Sequence, residues 1–134
     1  MNKLLAAIML CSISMTSYAG NVEGEVGYAS DYFFRGESQT MGSNSMQGWA
    51  KYSTNGFYAG TWVGQVDGIG EANYEYDLYA GYSLAVTDKW SVDGGVIQYR
   101  YDDKAIDHTE EWYVRGGNHW VQMGVYTDID DSNR

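Results

Sequence analysis

The chain has 134 residues, 18 acidic and 8 basic side chains, and a formal charge of −10. That is the length of one domain, and the acidity disfavours nucleic acid as a partner, because phosphate contacts need Lys and Arg. With 13 Tyr, 5 Trp and 3 Phe, it is also too aromatic to be disordered.

The first element is "MNKLLAAIMLCSISMTSYAG". Lys3 gives a positive start, Leu4 to Met15 is mostly apolar, and Ser17-Tyr18-Ala19 offers small residues where a signal peptidase reads. This is the three-part pattern of a secretory signal over residues 1–19, cut after Ala19. The apolar run is short for a spanning helix, which needs roughly 20 apolar residues. Cys11, the sole cysteine, lies inside the signal behind Met9-Leu10, a poor context for lipidation. Removing the 19 residues leaves 115 of the 134, without cysteine or disulfide, and takes Lys3 away, so the charge becomes −11. Residues 20–134 then form one domain with a modest core, in a protein of the bacterial envelope.

After Gly20 the pattern alternates instead of following a helical period. Over 22–35, Val22, Val26, Tyr28, Tyr32 and Phe34 share one parity; Glu23, Glu25, Asp31, Phe33 and Arg35 share the other. Side chains on a strand alternate between faces, so this is a two-sided strand. Tyr32 and Phe34 then face outward, and Asp31 and Arg35 inward, each pairing to another strand. "QGWAKYSTNGFYAGTWVGQV" holds a hairpin, strands at 46–53 and 57–66 around Asn55-Gly56, whose residues accept positive φ. Asp67 to Gly70 is a second turn. Residues 74–84 alternate cleanly, with Tyr74, Tyr76, Leu78, Tyr82 and Leu84 opposite Glu75, Asp77 and Tyr79. A turn at 87–89 leads to a strand at 90–101, less regular at Val96-Ile97. Two further strands are expected at 111–115 and 119–127. The predicted fold is all-β: seven strands in an antiparallel up-and-down meander, sandwich or barrel.

Alternation does not say which solvent the apolar face meets. Long strands, glycines inside strands and aromatics near strand ends (Tyr32, Phe34, Phe57, Tyr58, Trp90, Tyr99 and Tyr101) favour a transmembrane barrel with interfacial girdles. The acidic face would then line a lumen with Glu23, Glu25, Asp31, Arg35, Glu75, Asp77 and Asp93. Rings of carboxylates prefer cations. An odd strand count and the polar ending "TDIDDSNR" do not fit a complete barrel, which in bacteria has an even number of strands.

"SDYFFRGESQT", "GFYAGTW" and "YEYDLYAGYS" together resemble the TorF-type porin family, also known as Gcw_chp, over 23–101. The resemblance implies a C-terminally truncated outer-membrane β-barrel, with membrane lipid and small polar solutes as partners and room for homo-oligomerisation. It implies a location better than a substrate. The alternative from the residues is a soluble secreted aromatic-rich β-barrel or sandwich that binds a ligand through Tyr and Trp.

Motifs for catalysis do not appear. There is no Gly-x-Ser-x-Gly elbow and no zinc helix. His108 and His119 lack the array of a closed zinc site. "GIGEAN" lacks the third glycine of a dinucleotide loop, and "DIDDSN" lacks the glycine and distal glutamate of a calcium loop. No enzyme, metal or cofactor is expected. Paired acids such as Glu75 and Asp77 read as a solvated face.

Overall fold

The computed structural model describes residues 11–17 and 20–129. The expected cleavage point at Tyr18-Ala19 and the end of the acidic tail fall outside them. The strands are β1 (Cys11–Ser17), β2 (Gly20–Ala29), β3 (Phe33–Phe34), β4 (Glu37–Ser38), β5 (Ser45–Thr54), β6 (Phe57–Gln65), β7 (Tyr74–Ala85), β8 (Ser91–Tyr101), β9 (Thr109–Gly117) and β10 (Gln122–Asp128). Eight of them make one antiparallel sheet in the order β1-β2-β5-β6-β7-β8-β9-β10, and β3-β4 is a separate hairpin. The seven strands expected after Gly20 are β2 and β5 to β10. The eighth, β1, lies in the segment read as a signal and pairs along β2 from Cys11↔Val26 to Ser17↔Gly20.

Each hairpin follows from local chemistry. Asn55 and Gly56 hold φ of 50° and 86° between Thr54 and Phe57, the two positive values of a type I′ turn, whose twist matches the strands it joins. Arg35 and Gly36, at 50° and 91°, do the same between β3 and β4. The expected first strand therefore stops early, at Ala29. Asp31 accepts hydrogen bonds from Ser38 Oγ at 2.6 Å and Thr40 Oγ1 at 2.8 Å, and Tyr32 N–H donates to Thr40 Oγ1 at 3.1 Å. Such local bonds offer the backbone an alternative to the ladder. The irregularity at Val96-Ile97 leaves no mark, since β7 and β8 pair without interruption from Glu75↔Tyr101 to Ala85↔Ser91.

The sheet curls. The β3–β4 hairpin leaves between β2 and β5, yet Arg35 reaches Glu111 on β9. In a flat sheet β5 and β9 would stand about 19 Å apart, four intervals of nearly 5 Å. The curled sheet is a trough, and the hairpin lies across its concave side. Tyr32 packs on Trp62 with ring centres 5.2 Å apart, and Phe34 packs on Tyr99 at 5.6 Å. The core is accordingly small and partly polar: Val66, Ala72, Tyr99 and Tyr113 are buried, and so are Thr40, Ser45, Glu75, Asp77 and Glu111. The apolar parity (Val26, Leu78, Leu84, Val96 and Val114 among others) lies on the convex side and is exposed.

The sheet is also open. Among the described residues no pairing joins β10 to β1. This corrects the expectation of transmembrane strands closed into an outer-membrane barrel. An open edge presents unpaired backbone N–H and C=O groups, and hydrocarbon has nothing to pair with them. Among the described residues no helix is long and apolar enough to cross a membrane.

Candidate functional site

Register builds the concave face row by row. Glu25 stands opposite Trp49, Trp49 opposite Trp62, Trp62 opposite Asp77, and Asp77 opposite Tyr99. A second row runs Gly60, Tyr79, Ile97, Glu111. Several inward glycines lie beneath rings. A Cβ on Gly60 would stand 2.5 Å from the Tyr79 ring, and one on Gly95 would strike the Tyr113 hydroxyl. Glycine in a strand marks such close approaches.

Below the hairpin these rows enclose a cavity of about 580 Å³, lined by Tyr32, Trp49, Trp62, Asp77, Tyr79 and Arg115 among others. Most of the charges around it are paired. Lys51 Nζ lies 2.8 Å from Glu23, and Arg115 Nε lies 2.7 Å from Asp93. Tyr58 donates to Asp93 Oδ2 at 2.6 Å. With that proton committed, Tyr113 donates to Tyr58 across 2.5 Å. Burial works to raise the Asp93 pKa, but the bonds from Arg115 and Tyr58 outweigh it and hold the carboxyl below its usual range. The bond to Asp93 pushes the Arg115 pKa up.

Glu75 and Asp77 differ. They are neighbours on one face of β7, 2% and 8% exposed. Tyr101 reaches Glu75 Oε1 at 3.5 Å, but Glu75 Oε2 and Asp77 Oδ1 are buried without a hydrogen-bond partner. Burial first, and then the neighbouring Glu75 charge, push Asp77 up to about 8. Burial also raises Glu75, against the opposing bonds from Tyr32 and Tyr101. Two carboxyls this close and this dry resist ionising together.

The expected lumen set maps largely onto the concave face: Glu23, Glu25, Glu75, Asp77 and Asp93 lie there by register. Arg35 arrives through the hairpin, and Asp31 is tied within it. The expected interface aromatics divide. Phe57 and Trp90 are exposed, 63% and 49%. Tyr32, Phe34, Tyr58, Tyr99 and Tyr101 turn to the concave side instead, against Trp62, Tyr99, Asp93, Glu111 and Glu75. Tyr99 and Tyr101 share the parity of Asp93 along β8, a signal visible in the sequence. Glu111, Tyr113, Trp49 and Trp62 are site residues that the sequence reading did not single out, although the last two share parity with Lys51 and Tyr58. His108 is exposed and sits 3.8 Å from Glu110; among the described residues no cluster could hold a metal.

The profile of a family described as "Bacterial protein of unknown function (Gcw_chp)" matches residues 15–129. The chain belongs to that family. No curated protein and no solved structure matches it. Membership in Gcw_chp supports the resemblance as far as the family goes, while a porin would need a closed barrel, and this sheet is open.

Proposed function

We propose that the protein is a soluble secreted β-sheet module that binds a small ligand in the trough beneath the β3–β4 hairpin. The observation that carries this reading is the cavity of about 580 Å³ among Tyr32, Trp49, Trp62 and Tyr79. Ligand pockets typically measure about 300–1,000 Å³ and combine aromatic walls with a few placed polar groups. The aromatic rings supply stacking area at low entropy cost, and the Lys51–Glu23 and Arg115–Asp93 pairs supply oriented polar groups.

Fractionation of the expressing cells tests the setting, and tryptophan emission tests the binding. The exported protein should be recovered folded, without detergent, from the soluble envelope fraction. Methyl glucoside and choline serve as probes, one neutral and one charged. A saturable change in emission with either, lost in Trp62→Ala while the β-sheet circular dichroism persists, supports the reading. Retention in carbonate-washed membranes, or no saturable response to either probe, overturns it.

A further inference from the structure

The cations that reach the concave face already have anionic partners. Arg35 bonds to Glu111, Arg115 to Asp93 and Lys51 to Glu23. Asp77 has none of them. The groups facing it are Glu75 on its own strand, Tyr79 two residues on, Trp62 from β6, Tyr99 and Tyr101 from β8, and Tyr32 from the hairpin. All are acidic, phenolic or aromatic. Asp77 is more than nine-tenths buried, it lines the cavity, and its Oδ1 has no hydrogen-bond partner. Beside it the Tyr32 and Trp62 rings meet at 5.2 Å, inclined by 41°, and Trp49 stands next to Trp62 on the adjoining strand. Inclined aromatic faces around a carboxylate are the arrangement that recognises an ammonium ion.

We propose that the ligand of the trough is a small organic cation, a quaternary or protonated amine, with its charge set against Asp77 and its substituents against Trp62, Trp49 and Tyr32. This rests on the ligand-binding reading above and names the class of ligand. The bound cation supplies the positive charge that the Glu75–Asp77 pair lacks. Binding also favours the ionised carboxylate, so below about pH 8 the ligand expels a proton from Asp77.

The test compares choline with its neutral carbon isostere, in which a tert-butyl group replaces the trimethylammonium. Both are titrated into the full chain by calorimetry between about pH 6 and about pH 9. Choline should bind about tenfold more tightly than the isostere at the upper end. The gap should narrow as pH falls, with proton release below about pH 8 seen as buffer-dependent heat. Asp77→Asn keeps the shape of the side chain and should shrink the gap, leaving the part due to the rings, and remove the proton release. Trp62→Leu should weaken choline more than the isostere. Equal affinity for the two probes, or a gap unchanged in Asp77→Asn, overturns the cation assignment and leaves the binding reading intact. Binding of methyl glucoside with no binding of choline does the same. Failure of every probe overturns both.

Discussion

Arg35 and Glu111 meet fork to fork across the trough, Nη1 to Oε1 at 2.9 Å and Nη2 to Oε2 at 2.6 Å, though 76 residues separate them in the chain. The carboxylate is largely buried and the guanidinium half exposed. The same guanidinium stacks over Phe34 at 4.8 Å and Tyr126 at 5.5 Å. One side chain thus ties the β3–β4 hairpin to β9 and β10. Arg35→Ala should cost about 1–3 kcal/mol, the range for a hydrogen-bonded charge whose partner stays buried. Urea unfolding measures the loss. Native-state hydrogen exchange should show faster opening confined to residues 31–40. Arg35→Lys should recover only part of the loss, because an ammonium cannot fill the fork.

Asp77 predicts an unusual pH profile. Its carboxyl is raised from 3.8 to about 8 by burial and then by Glu75. Between those values the folded chain keeps a proton that the unfolded chain loses. Rising pH therefore draws the equilibrium toward the unfolded state, by at most about 1.4 kcal/mol per pH unit. Relative to Asp77→Asn, the wild-type chain should lose stability steadily from about pH 5 to about pH 8 and then level off. Urea midpoints of the two proteins, measured across that range, check the difference.

Asp93 carries the opposite sign. Its carboxyl is held low by Arg115 and Tyr58 against the effect of burial, so its contribution is present near neutrality and is lost as pH falls through the acid range. Asp93→Asn leaves Arg115 without its carboxylate in a partly buried place. The expected cost near pH 7 is about 1–3 kcal/mol. The difference from wild type should shrink below about pH 4. Thermal melts of both proteins at the two pH values test this.

The glycines under the rings predict steric damage. A Cβ on Gly60 would lie 2.6 Å from the Ala50 carbonyl oxygen as well as 2.5 Å from the Tyr79 ring. The backbone oxygen cannot swing aside as a side chain can. Gly60→Ala should destabilise by about 1–3 kcal/mol, as overpacking does. Gly116, whose Cβ would stand 3.8 Å from its nearest neighbours, is the control, and Gly116→Ala should be nearly silent in the same melts.

Strands and turns were legible because each depends on neighbours along the chain. The alternation over 74–84 became β7, and Asn55-Gly56 became the type I′ turn. Two things were hidden. One was that the stretch at Ser30–Arg35 leaves the sheet: alternation continues through it, and the Arg35-Gly36 turn with the bonds from Ser38 and Thr40 to Asp31 breaks the strand. That break reverses the directions expected for Tyr32 and Phe34. The other was partnership at long range. Nothing in "EEWYVRGG" announces that Glu111 receives Arg35 or that Tyr113 meets Tyr58. Such contacts depend on how far the sheet bends, which a pattern of period two does not encode. The same bend decides closure, and strand length, strand glycines and aromatics near strand ends, which suggested a barrel, do not encode it; the sheet is open.

The Tyr113–Tyr58–Asp93 chain joins β9, β6 and β8 through side chains alone. It behaves as the tie rod of an arch. An arch braced at its feet spreads when a foot is freed, whereas one braced across its span keeps its profile. The vault between the two margins of the sheet is therefore braced from within, independently of any pairing at its edges.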